Sequence, residues 1–298
     1  MSLPARDVVV AGRTLLDILR LSTTYLGEHG SATPRLDAEL LCAYALGLRR
    51  IDVYLQFDRQ LRDDELNATR ELVRRRARGE PVAYITGVRE FYGRPFAVDP
   101  AVLIPRPDTE TLVDVALRHL RARRDDARGA RVADLGTGSG CIAVSLAAEI
   151  PALRVVATDV SAAALAVARR NAERHGVVER ITFAQGSWGD ALEGTFDMVV
   201  SNPPYVTVEE VADAAPDVRD FEPHVALLGG ADGLDAYRAL LGSLPGRLRD
   251  GTRLLFEVDP RCAEMVSALI TGAFAGAETV VVQDLAGHDR VVDATLSP

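Results

Sequence analysis

The chain has 298 residues, 48% hydrophobic and 26% charged, a composition that builds buried cores and leaves room for two domains. Its formal net charge of −9 argues against a protein that wraps nucleic-acid phosphates with a basic face. Three scattered cysteines, Cys42, Cys141 and Cys262, form no CxxC pair and no histidines cluster, so neither a disulfide framework nor a metal site is expected and the setting reads as reducing and cytoplasmic.

In chain order, "MSLPARDVVVAGRT" carries an apolar run far too short for a signal peptide. No later segment approaches the roughly 20 apolar residues that span a bilayer. Residues 1–80 are predicted to form small amphipathic helices. "TPRLDAELLCAYALGL" offers Thr33 as a cap, Pro34 at the first helical position, and Leu36, Leu40, Tyr44 and Leu48 at helical spacing. "DDELNATRELVRRRARGEP" places Leu66, Thr69, Leu72 and Val73 along a stripe and ends at Gly79. The cluster Arg74, Arg75, Arg76 and Arg78 reads as a solvated face that complements the end of its helix.

Residues 81–107 turn β-branched, aromatic and rich in Gly and Pro, as expected of a hairpin and linker. "PRPDTE", residues 105–110, reads as a turn with Asp108 capping the helix that follows. From 108 to 298 strand-like apolar runs alternate with helical stretches, including helices from Asp232 and from Pro260. This predicts an α/β unit with a mostly parallel sheet, helices on both faces, and ligands at the carboxyl ends of the strands.

"VADLGTGSGCIAV" is a strand, a loop with Gly136, Gly138 and Gly140, and a helix. Such glycines let the backbone turn tightly against a ligand that faces the helix N-terminus. A nicotinamide fingerprint requires G-x-G-x-x-G, whereas here the third glycine comes one residue early. Asp134 ends the first strand and Asp159 ends the second, where a carboxylate can accept both hydroxyls of a ribose. Together these resemble the site of S-adenosylmethionine-dependent methyltransferases.

At "VVSNPPYV" a buried strand stops at Asn202, Pro203, Pro204 and Tyr205. Two prolines stiffen the chain into an extended elbow. The side-chain carbonyl of Asn202 and the backbone carbonyl of Pro203 are then two acceptors in fixed relative position, which suits the two protons of a planar NH2 group. Tyr205 can pack against the flat face of the group that carries it. Gripping the NH2 would aim its nitrogen for in-line methyl transfer. No histidine or carboxylate inside the motif is placed as a base, so the chemical step is expected to be nearly independent of pH.

"GEPVAYITGVREFYGRPFAVDPAVLIPRPDTETLV", "DLGTGSGCIAV", "SNPPYV", "VRDFEPHVALLGGADGLDAYRAL" and "DLAGHDRVV" together resemble the HemK-type release-factor glutamine methyltransferases, from about residue 33 onward. The resemblance implies a small N-terminal helical substrate-recognition domain, joined by a β-hairpin linker to a Rossmann-like seven-stranded methyltransferase domain. It implies S-adenosylmethionine as cofactor, released as S-adenosylhomocysteine, and the glutamine of the Gly-Gly-Gln loop of class 1 peptide chain release factors as substrate. Asp134, the loop Gly136, Thr137, Gly138, Ser139 and Gly140, Asp159, Trp188 and Asn202 would hold the cofactor. Asn202, Pro203, Pro204 and Tyr205 would hold the substrate amide, with Asn202, Pro203 and Tyr205 as the catalytic group. A cytoplasmic monomer that binds neither nucleic acid nor membrane is expected.

One stretch departs from the family pattern: in "FEVDPRC" Asp259 stands where a glycine is expected, so no role passes to Glu257. His224 reads as a loop histidine bonded to backbone. The rival readings are an adenine-amine methyltransferase acting on DNA or RNA, which shares the elbow, and a non-catalytic S-adenosylmethionine-binding module, which needs no elbow.

Overall fold

The computed structural model describes residues 14–123 and 129–297; the apolar run of residues 8–10 lies outside them. Two compact units follow one another, the first ending at Thr86 and the second starting at Gly87.

The first unit holds α1 (Leu15–Glu28), α2 (Pro34–Ala45), α3 (Arg50–Leu55), α4 (Asp63–Ala77) and α5 (Val82–Thr86). A capping box starts α1, where the Asp17 N–H donates to the Thr14 hydroxyl at 3.2 Å and so satisfies a donor that the first turn leaves open. Thr33 does stand at the cap position of α2, but its hydroxyl donates to Asp37 at 3.0 Å and caps no backbone amide.

The buried face of α2 also differs from the predicted stripe. Leu36 and Tyr44 are exposed, while Ala38, Leu41 and Cys42 are fully buried. The reason is a set of inward-facing acids that apolar periodicity does not register. Asp37 pairs with Arg76 at 2.7 Å, and Glu39 with Arg35 and Arg50 at 2.6 and 2.8 Å. A buried carboxylate persists only when paired. Arg76 is therefore committed to an internal ion pair and does not share the solvated face expected of its cluster.

Residues 82–86 are helical, so the hairpin begins later than the sequence suggests. Tyr84 and Ile85 donate their N–H groups to the Pro81 carbonyl, and Ile85 is buried in the first unit's core. Packing overrides the β-branched composition of this short run.

The second unit opens with the hairpin β1 (Val88–Phe91) and β2 (Arg94–Ala97). Its turn uses Tyr92 and Gly93, both at positive φ, as a tight two-residue hairpin requires. There follow α6 (Thr109–Arg121), β3 (Arg131–Leu135), α7 (Cys141–Glu149), β4 (Arg154–Asp159), α8 (Ala162–Arg174), β5 (Ile181–Gln185) and β6 (Phe196–Ser201). The chain continues through α9 (Val208–Asp213), α10 (Pro216–Arg219), α11 (Asp235–Ser243), β7 (Leu248–Glu257), α12 (Ala263–Ala273), β8 (Glu278–Gln283) and β9 (Asp289–Thr295). The short helices α9 and α10 have no counterpart in the sequence reading. The helix expected from Pro260 opens as a 3-10 turn, Pro260–Cys262, in which Asp259 accepts from the Arg261 N–H at 2.9 Å. Asp259 needs no positive φ there, so a glycine is dispensable.

The sheet runs β5-β4-β3-β6-β7-β9-β8, with β9 antiparallel to both of its neighbours. One apolar layer includes Leu112, Leu117 and Leu120 of α6 and Ile142, Val144 and Leu146 of α7 against Val132 and Val200. The other packs Tyr237 and Leu240 of α11 and Val266 and Ile270 of α12 against Phe196 and Phe256. From β3 the chain moves outward through β4 to β5 and then returns to β6, so the strand order reverses beside β3. Ligands of such sheets sit in the crevice at that reversal.

Asn171 of α8 fastens the hairpin to this frame. It is fully buried; its Oδ1 accepts from Ala97 N at 2.7 Å, and its Nδ2 donates to the carbonyls of Ala97 and Ser139 at 3.0 and 2.8 Å. One amide thus serves a strand of the hairpin and the glycine loop after β3. Truncation orphans buried backbone groups at about 1–3 kcal/mol each. Asn171→Ala should lower the unfolding free energy by about 2–4 kcal/mol in urea titrations, with a wild-type m-value.

Candidate active site

The glycine loop follows β3 as predicted. Asp134 is fully buried, and its Oδ2 accepts from the Thr137 hydroxyl at 2.6 Å and from Ala143 N at 3.1 Å. The carboxylate therefore braces the loop against the first turn of α7, while its Oδ1 has no hydrogen-bond partner. Burial pushes this carboxyl up to about 7, against the pull of the two hydrogen bonds, and Asp159 raises it further.

Gly136 and Thr137 both donate to the Thr158 carbonyl at 2.9 Å. Gly140 has φ +79°, and a Cβ there would lie 3.0 Å from Ala168 Cβ, so the loop and α8 approach each other only with glycine between them. Asp159, at the end of β4, accepts from Gly138 N and Ser161 N at 2.9 Å each. Every carboxylate oxygen has more than one acceptor site, so both can still take a hydroxyl.

A cavity of about 270 Å³ opens above this loop. Gly136, Thr137, Gly138, Ser139, Asp159 and Trp188 line it, together with Asn202 and Pro204 of the elbow. Asp134 and Gly140 support the loop from behind, and Pro203 and Tyr205 also lie outside the lining. Trp188, which invites a core reading when viewed alone, stands at the cavity wall with φ +45°. Its carbonyl accepts from the Thr158 hydroxyl at 3.0 Å. An adenosyl group bearing a sulfonium fits the lining: apolar and aromatic walls, a carboxylate at one strand end, and the backbone of the glycine loop.

The second wall is one that motif reading underrated. Residues 101–109 contribute Val102, Pro105, Arg106 and Thr109 to the lining. Glu222 anchors them: its carboxylate accepts from Ile104 N at 3.1 Å and pairs with Arg106 at 2.5 Å. The signal was the clustered "IPRPDTE", legible as a turn but not as a wall. Asp108 precedes α6 as expected but caps no amide; it pairs with Arg290 at 3.3 Å.

The elbow is locked from behind. Val206 donates to Leu227 O at 2.9 Å and Gly229 donates to Val206 O at 2.8 Å. A Cβ on Gly229 would sit 2.6 Å from Tyr205 Cα, so only glycine permits this approach. The Asn202 Nδ2 donates to the Thr109 hydroxyl at 3.1 Å. That contact occupies the amide nitrogen, and among the described residues no donor reaches the side-chain carbonyl. Among the described residues no donor reaches the Pro203 carbonyl. Tyr205 packs against the core beside α11, and burial drives its phenol pKa upward. His224 Nε2 donates to Arg219 O at 2.8 Å, the backbone bond expected of it.

Comparison with known proteins gives two matching domain models, "PrmC N-terminal domain" over residues 17–87 and "Methyltransferase small domain" over residues 109–217. A methyltransferase from Pyrococcus furiosus shares the fold, with a TM-score of 0.50 at 18% identity over 70% of this chain and 91% of that one. Two curated relatives are named release factor glutamine methyltransferase. The protein from Rhodopirellula baltica is 41% identical over 94% of this chain and 95% of its own length. The protein from Geobacter sulfurreducens is 43% identical with the same coverage. At that identity, over nearly the whole of both proteins, the chain belongs to the release factor glutamine methyltransferase family.

Proposed function

We propose that this protein transfers a methyl group from S-adenosylmethionine to the side-chain amide nitrogen of a glutamine in a peptide chain release factor, the glutamine of its Gly-Gly-Gln loop. The observation that carries this reading is the Asn202 amide, tied at its nitrogen to Thr109 with its oxygen free beside the Pro203 carbonyl. Two fixed acceptors match the two protons of a primary amide. When bound, the cofactor supplies an electrophilic methyl on a sulfonium.

The roles of the chain's own residues follow. Asp159 takes the ribose hydroxyls, Trp188 offers a flat wall to the adenine, and Gly136 to Gly140, with Thr137 and Ser139, shape the backbone cradle that Asp134 braces. Asn202 and Pro203 orient the amide, so its lone pair points along the transfer axis, while Pro204 and Tyr205 keep the elbow stiff. Among the described lining residues Asp159 is the sole carboxylate and belongs to the cofactor end. The amide proton therefore leaves to water as the methyl arrives.

The helical unit that ends at Thr86 serves to recognise the release factor, and the unit that starts at Gly87, its hairpin included, carries the transfer. The protein works as a cytoplasmic monomer without direct nucleic-acid binding; no described helix is long and apolar enough to cross a membrane.

Incubation with labelled cofactor and either release factor or duplex DNA, followed by peptide mapping, should place the added mass on the Gly-Gly-Gln glutamine. Label on the DNA instead would sink the reading in favour of an adenine methyltransferase. Asn202→Ala should lower turnover at least about a hundredfold through lost orientation, with cofactor affinity by calorimetry changed far less. A chain starting at residue 87 and verified as folded should keep cofactor affinity yet lose most of its rate on intact release factor. If it matches the full chain, recognition does not reside in the helical unit.

A further inference from the structure

Glu257, the last residue of β7, is fully buried, and neither of its carboxylate oxygens completes a hydrogen bond. Register puts it next to the elbow. Ser201 of β6 pairs with Phe256 of β7, so the next residues along, Asn202 and Glu257, leave the same edge of the sheet side by side. Between them stands Thr109, 2% exposed, whose hydroxyl already accepts from Asn202. The hydroxyls of Thr109 and Tyr205 are near enough to draw the Glu257 pKa down.

We propose that Glu257 is a positioning residue that fixes the orientation of the Asn202 side chain through the Thr109 hydroxyl. This rests on the reading of Asn202 as the substrate clamp. A hydroxyl has one proton to give. If Glu257 is ionised it can only accept, so Thr109 gives it that proton and can only accept from Asn202. The Asn202 NH2 is then held inward and its carbonyl faces the substrate. If Glu257 is protonated, its own proton goes to Thr109, and the Thr109 proton becomes available to the Asn202 carbonyl. The amide can then flip and present NH2 to the substrate's NH2, donor against donor.

The charge state of Glu257 falls within the working range of pH. Burial pushes its carboxyl up to about 7, opposed by the Thr109 hydroxyl, the Arg290 guanidinium and the Tyr205 hydroxyl, while Asp108 raises it further. Arg290 comes from β9, Asp108 and Thr109 from the start of α6, and Tyr205 from the elbow. Elsewhere around it are the Cys141 thiol of α7 and Tyr237 of α11, whose hydroxyl donates to the Glu257 carbonyl at 2.7 Å. The expectation of a flat pH profile, drawn from the motif alone, therefore changes.

The test is the single-turnover rate on release factor between pH 5.5 and 8.5 with saturating cofactor. Wild type should fall about tenfold per pH unit below about pH 7, as one protonation dictates. The limb should disappear in Glu257→Gln and Thr109→Val, return in Thr109→Ser, move to higher pH in Arg290→Gln, and persist in His224→Gln. Melting adds a check that needs no turnover. Glu257 is ionised in the unfolded chain above about 4.5 but protonated in the fold up to about 7, so it costs stability as pH rises through that window. Glu257→Gln should therefore gain in Tm relative to wild type between pH 5 and 8. A flat wild-type profile, or the same limb in Glu257→Gln, overturns the proposal. If Asn202→Ala itself retains wild-type rate, the clamp reading fails; if it loses rate while the limb ignores Glu257, this inference alone fails.

Discussion

Over Val132 to Asp134, β3 is hydrogen-bonded to β4 along one edge and to β6 along the other, all three strands parallel. Parallel pairing forces the loops that leave these strands to emerge on the same side. The glycine loop, the Asp159 turn and the Asn202 elbow are therefore neighbours although tens of residues separate them. Ser201 reinforces the seam by donating its hydroxyl to Leu135 O at 2.6 Å. Without that pairing no placement of individual side chains would bring the Asn202 elbow beside the glycine loop.

The pieces that lie within one short stretch were legible in the sequence. Gly136 to Gly140, Asp159 and the run from Asn202 to Tyr205 each carry their geometry locally, in glycine conformational freedom, a strand end or proline stiffness. What was not legible depends on residues meeting from distant positions. Thr109, Glu257 and Arg290 belong to a helix start and two strands, and only the register of β6, β7 and β9 gathers them. Glu257, within "LLFEV", looks like a polar interruption of a core strand. The face of α2 was misread for a related reason, since Asp37 and Glu39 are buried by arginines supplied from other helices.

Two acids buried behind the cavity lining play different structural parts. Two fully buried acids, Asp134 and Glu257, are both raised to about 7 by desolvation. Asp134 spends its hydrogen bonds on backbone and loop, whereas Glu257 faces hydroxyls and an arginine. Equal burial thus leaves one carboxylate hydrogen-bonded into the loop and the other with both oxygens unpartnered.

The sheet's far edge bears on how the chain reaches its fold. β8 precedes β9 in sequence yet joins the sheet only through it, since β9 pairs with β7 on one side and with β8 on the other. During synthesis on the ribosome, β7 emerges with the backbone edge that will pair with β9 still open, and β8 does not pair with it. An unpaired apolar edge is a template for another chain. Until residues 289–295 dock, that edge of β7 stays unpaired, and the sheet is completed only by the last strand in the chain.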